Sequence, residues 1–222
     1  MTQKLIVIGA SALAESVIDA VELGGKFAVI GLIDNFKPVG TECFGHPVLG
    51  ALTAEIVADL QRRGVSSALI AVGHNSVRKQ LADDLLAVWP DVNFATVVHP
   101  SAILSRGIKI GCGTVILPHA VVRVNASVGN HCLINTKASL DHDSVMEDFS
   151  SLAPGSTVCG YVHIGEGAAV CAGATIINNR RIGAHTVIGA GSTVVCDIES
   201  LVVAYGNPAR VIRVRKIMDG YM

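Results

Sequence analysis

Residues Ile110 to Leu140 read "IGCGTVILPHAVVRVNASVGNHCLINTKASL". An apolar residue returns at every sixth position: Ile110, Ile116, Val122, Val128, Ile134 and Leu140. Extended both ways, the series runs from Val98 to Val194 with no insertion or deletion, and all seventeen members are apolar. A helix turns once in about 3.6 residues and cannot keep six-residue steps on one face, whereas a short strand followed by a corner can.

A second rule shares the frame. Fourteen hexads begin at Ile110 through Ile188, and their fifth residue is Thr, Ala, Cys, Ser or Val in all but one, where Arg180 intrudes. One large and one small residue per hexad are therefore expected to point inward. Glycine often follows the large residue, as at Gly111, Gly129, Gly165, Gly183 and Gly189, where it is expected to relieve a tight corner. Repetition of this kind is the signature of a parallel β-helix built from hexapeptides.

The chain before Val98 has a different rhythm. "KLIVI" reads as a buried strand, and "GAS" turns into an amphipathic helix near Ala12 to Leu23. "FAVIGLID" is a second strand ending at Asp34, followed by a loop and the helix "TAEIVADLQRR". "SALIAVG" is a third strand, "SVRKQLADDLLAVW" a helix and "NFATVV" a last strand. Alternation of strands and helices predicts a small, parallel, Rossmann-like sheet. The expected organisation is thus an α/β domain over residues 1–97 and a β-helix domain with a C-terminal tail over residues 98–222.

The first turn opens with Gly9, but a dinucleotide fingerprint needs glycines where Ser11 and Ala14 stand, so an NAD site is not expected. The carboxyl ends of parallel strands still form a ligand crevice. Ser11 at a helix N-terminus offers donors to a phosphate. Asp34 and Lys37 stand at the next strand end, where Asp34 either meets a ligand or caps a turn.

Bulk properties narrow the classes. Half of the 222 residues are apolar, 16% are charged, and the formal net charge is −1. A polyanion-binding surface is not implied, and aromatics at 4% argue against stacking platforms for nucleic acid. No apolar run reaches the roughly 18 residues of a membrane span, and the start runs into a glycine loop rather than a cleavage site, so a cytoplasmic protein is expected. The six cysteines form no CxxC pair and read as small core residues of a reducing compartment. His119, His131 and His185 share a hexad position but do not lie on adjacent coils of one face. No metal site is expected from them, because zinc needs three or four converging ligands.

The remaining landmark is "NTKASLDHDSVMEDF", Asn135 to Phe149, with His142 between two aspartates. Taken alone, it is either a proton-transfer device or a solvated surface histidine. Together with "IGAS" at the first turn, "LIDNFKP" at the second strand end, the uninterrupted hexads and a closing "YGNPAR", it resembles the bacterial nucleotide-amino-sugar N-acetyltransferases and their sialic acid O-acetyltransferase relatives. The resemblance covers almost the whole chain. It implies a triangular, left-handed β-helix in which three hexads make a coil and residues eighteen apart stack. Such winding is an exception to the usual right-handed crossover. At about 4.8 Å per coil, the prism is roughly 27 Å long.

The resemblance also implies a homotrimer, with acetyl-CoA in the groove between neighbouring prisms and a nucleotide-linked amino sugar on the α/β domain. The family's catalytic histidine matches His142 and its acidic partner Asp143. Asn135 matches an asparagine near the reacting groups. Gly160, one coil beyond His142, matches a backbone amide facing the thioester oxygen. Ala172 and Ala190 match positions lining the coenzyme groove. Two departures stand out: Leu13 replaces a histidine of the first turn, and Ser151 replaces a second histidine near the thioester.

Direct transfer to an amine would then use neutral His142 as the proton acceptor. A carboxylate on its other ring nitrogen would fix the tautomer, Asp143 in first place and Asp141 as the alternative. The Gly160 amide would serve the oxyanion. Two other readings stand beside this one: O-acetylation of a sugar hydroxyl, and a non-enzymatic trimeric scaffold. The basic tail "ARVIRVRK" either meets coenzyme phosphates or is a solvated end.

Overall fold

The structure is a computed structural model and describes residues 2–221. The first part contains β1 (Gln3–Ile8), α1 (Ala12–Gly24), β2 (Phe27–Ile33), β3 (Glu42–Cys43), β4 (His46–Gly50), α2 (Ala54–Arg62), β5 (Ser67–Ile70), α3 (Asn75–Val88) and β6 (Asn93–Phe94). They form one six-stranded sheet in the order β3-β4-β2-β1-β5-β6. All pairings are parallel except β3 with β4. Leu5, Val7 and Leu32 face the α1 side, while Ile6, Ile8, Ile33 and Ile70 face α2 and α3. Both faces are covered, so the strands read as continuous apolar runs rather than alternations.

Two local expectations need correction. The stretch after Asp34 is more than a loop, because β3 and β4 make a hairpin whose turn, Phe44–Gly45, has φ of 53° and 78°. Two consecutive positive φ values match the right-handed twist of a tight hairpin. "NFATVV" is not one strand. β6 ends the α/β sheet, and β7 (Val97–Val98) pairs with Val115–Ile116 as the first strand of the prism.

From β7 onward, two-residue strands repeat every six residues on three faces. Face 1 begins with β7, face 2 with β8 (Ile103–Leu104) and face 3 with β9 (Lys109–Ile110). Each strand pairs in parallel with the one eighteen residues on, as Val121 does with Ser139 and Ser127 with Val145. From Ile116 to Val194 the hexad-start residues are buried, at 2% exposure or less. In the first coil, which has no coil beneath it, Val98 and Ile110 are half-buried and Leu104 is 38% exposed. The small fifth residues are also inside. Arg180 turns out instead, donating from Nε to the Asn178 carbonyl at 3.2 Å and facing Asp197.

The corners obey a third rule. All fifteen residues at six-residue steps from Gly107 to Gly191 have positive φ, including His119, Asn125, His131, Lys137, Asp143, Phe149, Tyr161, Asn179 and His185. The glycines that follow the large residues are not in this set. They are small for another reason: a Cβ on Gly111 would lie 2.5 Å from the Gly129 carbonyl carbon, and one on Gly165 2.6 Å from the Ala184 amide. Close stacking of coils, not backbone handedness, selects them.

The chain ends in the antiparallel strands Val202–Gly206 and Ala209–Val214, the first of which extends face 1. The basic tail is therefore mostly a hairpin. Arg215 is buried, donates to the carbonyls of His185 and Asp219, and keeps a buried Nε with no partner among the described residues, so its guanidinium is shut away from a coenzyme phosphate.

Candidate active site

His142 and Asp143 lie on the corner between faces 2 and 3, after Ser139–Leu140 and before Val145–Met146. The left-handed backbone of Asp143, φ 56°, folds its carboxylate back onto the preceding ring. Asp143 Oδ2 and His142 Nδ1 are 2.9 Å apart, while Asn125 Nδ2, one coil below, donates to Asp143 Oδ1 at 3.2 Å. The imidazole and then the Asn125 amide hold the Asp143 carboxyl below the usual carboxylate range. Asp141 takes a different part: its Oδ1 accepts from the His142 backbone amide at 2.7 Å. Of the two aspartates, only Asp143 bonds the ring.

A carboxylate can only accept, so Nδ1 carries the proton of the neutral ring and Nε2 keeps a free lone pair. That nitrogen faces Gly160. A Cβ at residue 160 would sit 2.5 Å from His142 Nε2, so glycine is required by the ring itself. The Gly160 amide has no acceptor among the described residues, although Gly160 is buried. The Tyr161 ring meets the imidazole edge to face, with centroids 5.1 Å apart.

The other candidates of the prism stand elsewhere. Asn135 and the exposed Ala172 and Ala190 are on the corner between faces 1 and 2, and the buried Ser151 is in a face 1 strand beside it. Face 2 therefore separates Asn135 and Ser151 from His142 and Gly160 within one protomer. Asn135 and Ser151 line a cleft of about 340 Å³ with Leu13, His74 and Tyr221.

Ser11, Asp34 and the crevice predicted at the strand ends are together. The crevice has a volume of about 390 Å³ and a largely apolar wall, including Phe36, Leu81 and Met218. Ser11 caps α1 with its side chain unbonded. Asp34 is bonded by the chain: Oδ2 accepts from the Ala10 amide, and Oδ1 from the amides of Phe36 and Lys37. It ties the first turn to the second and shapes the crevice floor. Lys37 Nζ is 3.2 Å from Cys43 Sγ and does not line the crevice.

Several neighbours of the site were not singled out from sequence. Asn125 and Tyr161 lie eighteen residues either side of Asp143, so coil arithmetic alone points to both. Phe36 and Met218 carry no such signal, because Met218 reaches the crevice only after the terminal hairpin turns back. Among the described residues, no group of three or more His, Cys, Asp or Glu is placed to hold a metal ion. No described helix is long and apolar enough to cross a membrane.

Residues 4–85 match the family model described as the PglD N-terminal domain. A GDP-perosamine N-acetyltransferase of Escherichia coli O157:H7 is 29% identical over 150 residues, covering 64% of this chain and 65% of that protein. An acyl-[acyl-carrier-protein]–UDP-N-acetylglucosamine O-acyltransferase of Pseudomonas paraeruginosa is 32% identical over 114 residues; the match takes in 51% of this chain but only 42% of that relative. Among solved structures, an enzyme from Caulobacter crescentus in complex with CoA and GDP-perosamine superposes with a TM-score of 0.88 at 29% identity, over 96% of this chain and 99% of that one. The same enzyme has been solved with a histidine changed to alanine and to asparagine. The acetyltransferase domain of PglB from Neisseria gonorrhoeae, with acetyl coenzyme A, gives 0.85 at 27% identity, over 96% and 100%. The prism is the left-handed β-helix of these neighbours.

Proposed function

We propose that this chain is one of the hexapeptide-repeat, left-handed β-helix nucleotide-amino-sugar N-acetyltransferases and transfers the acetyl group of acetyl-CoA to the amine of a nucleotide-linked amino sugar. One observation carries the reading. The His142 ring has its Nδ1 held by Asp143, its Nε2 free, and the unpaired Gly160 amide beneath it.

The chemistry follows from that arrangement. The acceptor nitrogen attacks the thioester carbon, and His142 Nε2 takes the proton that the nitrogen must lose. Asp143 supports the imidazolium that forms. The Gly160 amide donates to the oxyanion of the tetrahedral intermediate. The carbon–sulfur bond then breaks, and His142 returns its proton to the departing thiolate of CoA. No acyl-enzyme is needed.

The acceptor's nucleotide occupies the crevice of Ser11, Phe36 and Met218, over the turns that Asp34 fastens. Its sugar lies toward the cleft of Asn135 and Ser151. The α/β domain covers face 1, and His142 is on the corner opposite that face. An amine held by one protomer therefore meets His142 of a neighbour, with the corner of faces 1 and 2 against the neighbour's corner of faces 2 and 3. Such head-to-tail contact closes a ring, here a trimer, with Ala172 and Ala190 presenting the small surface on which acetyl-CoA lies.

The test is CoA release with a panel of nucleotide-linked amino sugars, with sialic acid as the hydroxyl control. Release with an amine acceptor is expected. Release with sialic acid alone would transfer the reading to O-acetylation, and failure to bind acetyl-CoA at all would leave only a scaffold. Light scattering of an active monomer would defeat the trimer.

A further inference from the structure

The corner between faces 3 and 1 carries a set of contacts that the chemistry does not use. The carbonyls of the left-handed corner residues His131, Phe149, Gly167 and His185 stack eighteen residues apart. Each is taken by a side chain rather than by a neighbouring coil. Arg78 donates from Nε to His131 at 2.7 Å and from Nη2 to Phe149 at 3.0 Å. Asn75 Nδ2 donates to Gly167 at 3.1 Å, and Arg215 Nη1 to His185 at 2.6 Å.

Arg78 and Asn75 open α3 of the α/β domain, so three successive coils of the prism are gripped from one helical turn. The guanidinium also holds its own loop, donating from Nη1 to the carbonyls of Val72 and Gly73, and Asn75 Oδ1 accepts from Nη2. Arg78 is 3% exposed and has no carboxylate partner among the described residues. Burying a charge with only neutral partners is costly, and an apolar residue often packs such an interface at least as stably. What carbonyls on successive coils add is geometry: they fix both the height and the rotation of the α/β domain along the prism. The same loop is a wall of both cavities. Val72 lines the crevice, Gly73 and His74 line the cleft, and the Tyr221 hydroxyl accepts from the Asn75 amide at 2.6 Å.

We propose that Arg78 and Asn75 are positioning residues for the acceptor: they latch the crevice at one height on the prism, so that an amine held through its nucleotide arrives at the thioester. The inference rests on the proposed acetyl transfer. It predicts a split between acceptors. A nucleotide-linked amine depends on the α/β domain for its position, whereas hydroxylamine, a small untethered amine, depends only on acetyl-CoA and His142.

The experiment compares Arg78→Lys and Arg78→Met with the wild type on both acceptors. A misplacement of about 1 Å costs up to roughly 10² in rate. So kcat/KM for the nucleotide sugar should fall at least about tenfold while the hydroxylamine rate stays within about twofold. Parallel loss with both acceptors, or loss of melting temperature with both rates intact, would make Arg78 merely structural and overturn the proposal. Hydrogen exchange reads the latch without any acceptor: amides of residues 72–78 should exchange faster in Arg78→Lys, and unchanged protection also overturns it. Wild-type turnover of the sugar panel, measured first, tests the functional reading separately from these ratios.

Discussion

Two histidines on two corners of one prism show how the same lattice yields opposite chemistry. His142 and His131 stand on neighbouring corners, and both have an aromatic ring from the next coil against them: Tyr161 and Phe149. His142 is about two-fifths exposed, with an aspartate on Nδ1. His131 is 5% exposed, stacked flat on Phe149, touched edgewise by Phe94, and its buried Nδ1 has no partner among the described residues. Burial, and then the Arg78 guanidinium, lower its pKa to about 4. A carboxylate keeps one imidazole aligned and ready to accept a proton; an apolar wall and a buried cation keep the other neutral. The difference arises from what covers each corner, water or the α/β domain.

The sharpest break of that comparison is His142→Asn. It removes the proposed base but keeps volume and some hydrogen bonding. General-base contributions are typically about 10² to 10⁴, so kcat should fall at least roughly a hundredfold, with acetyl-CoA binding intact by calorimetry. Near-normal kcat would return His142 to the surface histidines.

For His131 the observable is stability. Its folded pKa of about 4 lies below the ordinary value of 6.5. Between those values the unfolded chain binds the proton and the folded chain does not, so stability falls as pH drops from 6.5 toward 4. The full shift corresponds to roughly 3 kcal/mol. Urea midpoints across that window should show the decline, and His131→Phe, which keeps a flat ring on Phe149, should flatten it. An equal slope in the variant would assign the acid sensitivity elsewhere.

Gly160→Ala tests the space between ring and amide. Its Cβ would lie 2.5 Å from His142 Nε2, so the imidazole must turn away from the acceptor. A drop in kcat of about tenfold or more is expected, since small misplacements of reacting groups are expensive. Unchanged kcat would mean that the ring works in another orientation.

Asp143→Asn is the smallest step. The amide keeps a partner for Nδ1 but loses the charge that supports the imidazolium, so kcat should fall less than in His142→Asn. Asp141→Asn, which alters a backbone cap and a 4.0 Å ion pair with Arg123, should change kcat by less than Asp143→Asn does. The reverse order of these two would exchange their roles.

Legibility from sequence varied with the physical constraint. The hexads were plain because a prism interior admits one large and one small residue per side, and nothing else packs. The left-handed corner was hidden, although it repeats as strictly. Glycine, histidine, asparagine, lysine, phenylalanine and tyrosine all occupy it, and no single residue type marks the conformation. The pairing of His142 with Asp143 rather than Asp141 also needed the structure, because adjacent residues differ only in where the corner turns them. The Arg78 latch gives no signal in the sequence, since its partners are backbone carbonyls, which leave no mark in the composition.

The sequence by itself determined the two-part architecture, the hexad repeat and, through its resemblance, the three-hexad coil and the residues worth testing. Those are local matters: periodicity and side-chain volume act within one hexad or one helix turn. The tertiary structure decided which residues of the motif meet and which do not. It put Asn135 and His142 on different corners, tied Asp34 to the Ala10 amide of the first turn, buried Arg215, and turned the chain's end back so that Met218 walls the crevice. Contacts of this kind join residues far apart in the chain, and no short-range pattern encodes them. They are fixed when the α/β domain closes on one face of the prism and leaves the opposite corner open.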